Sequence, residues 1–181
     1  MQNPEHPGPG PVAMLEEACG VVEGIIANIT PEQMGLPTVN DEWNVRDLIN
    51  HLVRGNVWAA QNLETGGAPR PTEDFIGDRS PAQAFSESAE TMIKAFHAPG
   101  ALATMVTMPF GEVPGAVLAM FRTGDLVGHA WDLAVATGQD RNVAPQMCEA
   151  VLEMSRQRLE GMDRARSPFK ELVEVSAEAC P

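Results

Sequence analysis

No tyrosine occurs in the 181 residues, and aromatic side chains together make up only 5%. Sheets draw on aromatic and β-branched residues, so this scarcity turns the reading toward helices with a core of Leu, Val, Ile, Met and Ala. Basic residues are also few, 12 Lys and Arg against 25 Asp and Glu, for a formal charge of −13. Nucleic acid and anionic membrane surfaces are bound through basic patches that displace counterions, so neither is expected as a partner. The acidic excess suits a cytoplasmic protein that repels its neighbours. No apolar run reaches the roughly 18 residues of a membrane span. The opening MQNPEHPGPG has neither the basic region nor the apolar core of a signal peptide. Cysteines stand only at 19, 148 and 180. Their odd number and wide spacing exclude a disulfide framework or a thiolate zinc cluster, and they read as reduced thiols.

What remains is the pattern of one helical domain, large enough to bury a core. Prolines at 4, 7, 9 and 11 mark residues 1–10 as a flexible extended tail. From Pro11, the spacing of Leu15, Ala18, Val22, Ile25, Ile26 and Ile29 predicts an amphipathic helix that ends at Thr30-Pro31, with a capping-box turn from Thr30 to Gln33. Asn44 and Asp47 open a second helix with Val45, Leu48, Ile49, Leu52, Val53, Val57 and Ala60 on its apolar stripe. His51 falls off the centre of that stripe, grouped with Asn44, Gly55, Trp58 and Asn62. Residues 66–79 read as an exposed connection. Ser80-Pro81 starts a third helix with Ala82, Phe85, Ala89, Met92 and Phe96 on one face. Residues 102–108 read as extended and 109–115 as a turn into a long helix closed by Gly138. Pro145 opens a further helix, and periodicity fades after Gly161. The fold class is therefore all-α, a four-helix bundle over 11–163 with an additional C-terminal helix, irregular connections and a tail over 164–181. Trp43, Trp58 and Trp131 read as core or boundary anchors.

The long helix carries the chemistry. In FRTGDLVGHAWDLAVATG, residues 121–138, Asp125 and His129 are four apart and so lie one turn above each other, with Asp132 just beyond. Leu126, Val127, Trp131, Leu133 and Ala134 make much of this helix apolar, and an acid and an imidazole on a buried helix need a partner. A divalent cation is one such partner. Only three other histidines exist. His6 lies in the tail and His97 precedes Ala-Pro-Gly at a helix end, which leaves His51 as the third ligand, with Gly55 leaving room beside it. The alternative is an exposed salt-bridge ladder of Arg122, Asp125 and His129, contributing little, with His51 an ordinary interior histidine.

The segments WNVRDLINHL, MPFGEVPGA and GHAWDLAVATG, in this order, resemble the DinB-like superfamily, and within it the actinobacterial relatives of the N-terminal domain of mycothiol-dependent maleylpyruvate isomerase. The resemblance spans residues 15–161. It implies a four-helix bundle that holds a divalent metal through His51, Asp125 and His129, the trio that spacing alone singles out. The family pattern has Glu where this chain has Asp125, one methylene shorter. The isomerase also has a further C-terminal domain, expected to be missing here. The resemblance implies a metal-dependent thiol transferase or isomerase-like enzyme. Zinc is the first choice of metal and nickel or iron the others; a low-molecular-weight thiol such as mycothiol is the cosubstrate and a small electrophile the substrate. Asp132 is the candidate outer acceptor or base behind His129. The competing reading is a non-catalytic bundle that binds a divalent metal or small molecule, and for either reading a homodimer is a candidate assembly.

Overall fold

The computed structural model describes residues 9–108 and 111–160. Most of the tail expected over 1–10, the bundle end expected at 163 and the tail over 164–181 lie outside the described residues. The chain runs through α1 (Pro11–Ile26), a short 3-10 helix (Pro31–Gly35), α2 (Val45–Thr65), α3 (Pro81–Phe96), a 3-10 turn (Ala101–Ala103), β1 (Met105–Met108), β2 (Gly111–Pro114), α4 (Gly115–Thr137) and α5 (Pro145–Glu160). It divides into two compact units, residues 1–143 and 144–181. The second contains α5, whose first turn is fastened by the amides of Met147 and Cys148 donating to the Ala144 carbonyl.

In the first unit, α2 packs on α3 and α4 while α1 packs on α4 and α3, so the four helices close a ring in which α2 and α4 are neighbours. Leu15, Val22, Leu48, Ile49, Leu52, Phe85, Met92, Leu118, Leu126 and Leu133 are fully buried between them. Each such side chain stabilises the fold by about 1.5–3 kcal/mol relative to exposure.

Local chemistry sets the helix ends. Asn44 Oδ1 accepts from the Asp47 amide at 2.9 Å and Asp47 Oδ2 accepts from the Asn44 amide at 3.2 Å, a reciprocal box that starts α2. Ser80 Oγ accepts from the Gln83 amide at 3.1 Å and starts α3. Gly138, at φ +71°, closes α4 in the left-handed conformation that glycine adopts without a Cβ penalty.

Four expectations need correction. First, α1 stops at Ile26 and not at Thr30, since the amides of Asn28 and Ile29 turn back to Ile25 and Ile26 in a tighter turn; Ile29 still reaches the core. Second, the stripe of α2 runs through Asn56, Ala59 and Asn62, leaving Val57 and Ala60 only half-buried; the two asparagines can be buried because Asn56 donates to Ser88 Oγ and Asn62 donates to the Trp58 carbonyl and accepts from the Ala68 amide. Likewise α3 buries Ala84 and Ser88 and leaves Ala82 exposed. Third, the 66–79 connection is not wholly exposed. Ile76 is buried, drawn in by Asn50, whose Oδ1 accepts from the Phe75 amide at 2.9 Å. Fourth, the expected turn over 109–115 contains a strand: β2 pairs antiparallel with β1, Val106 against Val113, so the all-α bundle carries a two-stranded hairpin. Val106 and Met108 alternate inward with exposed Met105 and Thr107, the two-residue period of a half-buried strand.

Candidate metal centre

Gly115 begins α4 against the 3-10 turn, where a β-carbon would lie 2.1 Å from the Ala101 carbonyl oxygen. From that close approach α4 buries Leu118, Leu126, Ala130 and Leu133. Asp125 and His129 lie at the edge of the buried face, and His51 reaches them from α2. His51 Nε2 is 3.6 Å and His129 Nε2 3.7 Å from the same oxygen, Asp125 Oδ1. One ligand atom from each of the three residues lies within 4.8 Å of the others. Both histidine side chains are 19% exposed and the Asp125 side chain 33%, so the cluster is open on one side. The structure thus brings together the three residues that spacing singled out. His97 is elsewhere, at the end of α3, where its Nε2 meets Glu16 Oε1 at 2.7 Å; His6 lies outside the described residues.

The connection before α2 completes the surroundings. Thr38 and Trp43 are tied by a backbone bond of 3.2 Å and by the Thr38 hydroxyl donating to the Trp43 carbonyl at 2.8 Å. This small loop sets the Trp43 indole 4.7 Å from the His51 ring and 6.2 Å from that of His129, centroid to centroid. It also places Asn40 so that its Nδ2 donates to Asp132 Oδ2 at 3.4 Å. Asp132 Oδ2 meets His129 Nδ1 at 2.8 Å. With Nδ1 protonated toward Asp132, His129 presents the lone pair of Nε2 to Asp125 and His51.

Asp125 itself is held from behind. Its Oδ2 accepts from Arg122 Nη1, and Arg122 is 5% exposed. Burial works against ionisation of Asp125, but the Arg122 guanidinium and, after it, the imidazoles of His51 and His129 outweigh it and hold the carboxyl well below the usual carboxylate range. The exposed salt-bridge ladder is therefore not what forms, because Arg122 points inward. Trp131, read as an anchor, is 42% exposed, lying off the face that α4 buries; Trp58 is a true anchor, with its Nε1 donating to the Ala68 carbonyl at 2.8 Å.

The roles of Arg122, Asn56, Ser88, Trp43 and Asn40 around the site escape a reading of the sequence. Asn56 offers a signal, since it interrupts the apolar run between Leu52 and Ala59; the other four do not.

The donor set fits a divalent ion. Among the described residues the buried His51 Nε2 has no hydrogen-bond partner, a costly state that a cation relieves. Ligand atoms about 2.0–2.1 Å from a tetrahedral zinc stand about 3.3 Å apart. The two separations from Asp125 Oδ1, 3.6 and 3.7 Å, lie close to that spacing, and all three ligand atoms lie within 4.8 Å of one another.

Known proteins place this arrangement in context. An uncharacterized protein of Mycobacterium tuberculosis strain H37Rv is 34% identical over 150 residues, 81% of this chain and 78% of its own, and its counterpart in strain CDC 1551 gives the same figures. Among solved structures, the mycothiol-dependent maleylpyruvate isomerase superposes with a TM-score of 0.66 at 13% identity over 78% of this chain. An alanine-for-histidine mutant of that enzyme gives 0.62 at 12%. The chain spans 66% of the length of these isomerase chains, and at such identity the likeness is one of fold. Residues 15–134 match the family described as the mycothiol maleylpyruvate isomerase N-terminal domain. That span runs from α1 through most of α4 and covers well over half of the sequence, and the chain belongs to that family.

Proposed function

We propose that this chain binds a divalent metal through His51, Asp125 and His129 and uses it with a low-molecular-weight thiol of the mycothiol type to transform a small electrophile. The observation that carries the reading is the convergence of His51 Nε2, His129 Nε2 and Asp125 Oδ1 at the open edge of a bundle of this family. Two imidazoles and one carboxylate suit zinc first, with nickel or iron(II) as alternatives, and leave coordination positions free. Held by these three residues, such an ion would supply Lewis acidity that lowers the pKa of a bound thiol and makes thiolate available at neutral pH toward an electrophilic carbon. The residues of the chain orient and shield. Asp132 fixes the His129 tautomer, Trp43 covers the His51 ring, and Arg122 keeps Asp125 ionised. Cys19 takes no part, since burial pushes its thiol up to about 12.

The test is elemental analysis of protein purified without chelator, together with His51→Ala, followed by thiol consumption with chlorodinitrobenzene as electrophile. Near-stoichiometric metal that is lost in His51→Ala, with metal-dependent thiol turnover, is the expected result. Bound metal without turnover across several thiols leaves the non-catalytic binding protein. No metal in the wild type, and none taken up on titration, overturns the proposal.

A further inference from the structure

Gly55 stands in the middle of α2, one turn past His51, where glycine weakens a helix relative to alanine. A β-carbon there would lie 2.4 Å from Nη1 and 2.7 Å from Cζ of Arg122. The guanidinium of α4 therefore rests directly on the backbone of α2, in space that any side chain at 55 would fill. It is fastened there. Arg122 Nη2 donates to Asn56 Oδ1 at 2.8 Å and to the Leu52 carbonyl at 3.3 Å. Asn56 Nδ2 donates to Ser88 Oγ at 3.0 Å, and Ser88 Oγ donates to the Phe85 carbonyl at 2.8 Å. Arg122, Asn56 and Ser88 are all buried, so the chain of bonds ties α4 to α2 and α3 through the interior. At its outer end Arg122 Nη1 donates to Asp125 Oδ2, and the other carboxylate oxygen, Oδ1, is the one that faces both Nε2 atoms.

We infer that Arg122, admitted by Gly55, is the positioning residue of the metal site: it occupies one oxygen of Asp125 and so presents the other, alone, alongside the two imidazoles. The inference rests on the metal-binding reading above and adds two properties to it. Asp125 acts through a single oxygen, which leaves more of the coordination sphere open than a two-oxygen carboxylate does. The guanidinium also balances the Asp125 charge, so that with neutral imidazoles, the form in which histidine binds metal, a bound divalent ion keeps a net positive charge for the incoming ligand even with the Asp132 carboxylate behind His129. That favours an anionic ligand such as a thiolate over a neutral one.

Cobalt(II) is the probe, because its visible absorption reports coordination number and geometry while its titration reports affinity. The variants are Gly55→Ala, which displaces the guanidinium without removing it, and Arg122→Lys, which keeps the charge but lacks the planar fork. Circular dichroism and thermal melts of the metal-free proteins check that each is folded. The expected result is an affinity for cobalt(II) lower by about 10–100-fold in both variants, the range for losing an outer partner of a ligand, with an altered absorption spectrum at saturation. A merely structural Arg122 would change the melt and leave spectrum and affinity in place. If the wild type binds cobalt(II) and either folded variant matches it within twofold with the same spectrum, the positioning role is overturned while metal binding stands. If the wild type takes up no cobalt(II), both readings fall together.

Discussion

The substitution Asp125→Ala, studied in metal-free protein with chelator present, isolates the electrostatics of the site from its ligand chemistry. It removes the carboxylate that meets the Arg122 guanidinium and leaves that cation 5% exposed between α2 and α4. Stranding one member of a fully buried ion pair costs about 3–5 kcal/mol. Two features lower the figure here. The Asp125 side chain is 33% exposed, so water can enter the vacated space, and Arg122 keeps its acceptors on Asn56 and Leu52. We therefore expect a loss of about 2 kcal/mol, between the values for buried and surface pairs. For a chain of this size that lowers Tm by about 4–8 °C. His51→Ala strands no charge and should lower it less. The folded-state pKa of Asp125 lies below its unfolded value of about 4, so its contribution is fully present above pH 4 and is lost as the pH falls through the folded pKa. The wild type should accordingly keep its advantage in urea stability over Asp125→Ala from neutral pH down to about 4, and the two should converge below it. A variant that melts within 1 °C of the wild type at pH 7, or a gap that stays undiminished well below pH 4, would refute this account of the Arg122–Asp125 pair.

Asp132→Ala removes the acceptor for His129 Nδ1, freeing the ring to turn and to change tautomer. Zinc affinity measured by chelator competition should fall about 10–100-fold, with the metal-free fold intact by circular dichroism; unchanged affinity would remove Asp132 from the site. Cys19 is 3% exposed with its thiol pushed up to about 12 by burial, so iodoacetamide at pH 8 should leave it unmodified in the native protein and alkylate it in urea. Peptide mass spectrometry reads the difference, and rapid native labelling of Cys19 would show that the α1 face opens.

The elements with strong local signals are legible in the sequence alone. The Asn44–Asp47 box, the Ser80-Pro81 start and Gly138 act through backbone groups within a few residues, and each stands at the helix boundary that its chemistry predicts. The four-apart placement of Asp125 and His129 is a property of any helix, and Nε2 and Oδ1 stand 3.7 Å apart as a consequence. The β1–β2 hairpin is half-legible. Its first strand shows in residues 105–108, but the partner GEVP contains Gly and Pro, which weigh against a strand until Val113 is set beside Val106.

The inward face of Arg122 is not legible. Arginine three residues before an aspartate on a helix reads as a surface pair, because burial of a cation is costly unless something distant compensates it. Here the compensation comes from Leu52, Asn56 and Ser88, between 34 and 70 positions away along the chain, and from the absence of a side chain at Gly55. The same holds for Trp43 and Asn40, which reach the site only because their loop folds toward α4. Helix periods and caps depend on neighbours in sequence, so the sequence by itself determined the bundle's helices and two of the three clustered ligand-type residues as a pair. Which side chains stand behind that pair, which oxygen of Asp125 faces His51, and how much charge the site retains depend on contacts between helices, and only the tertiary structure decided them.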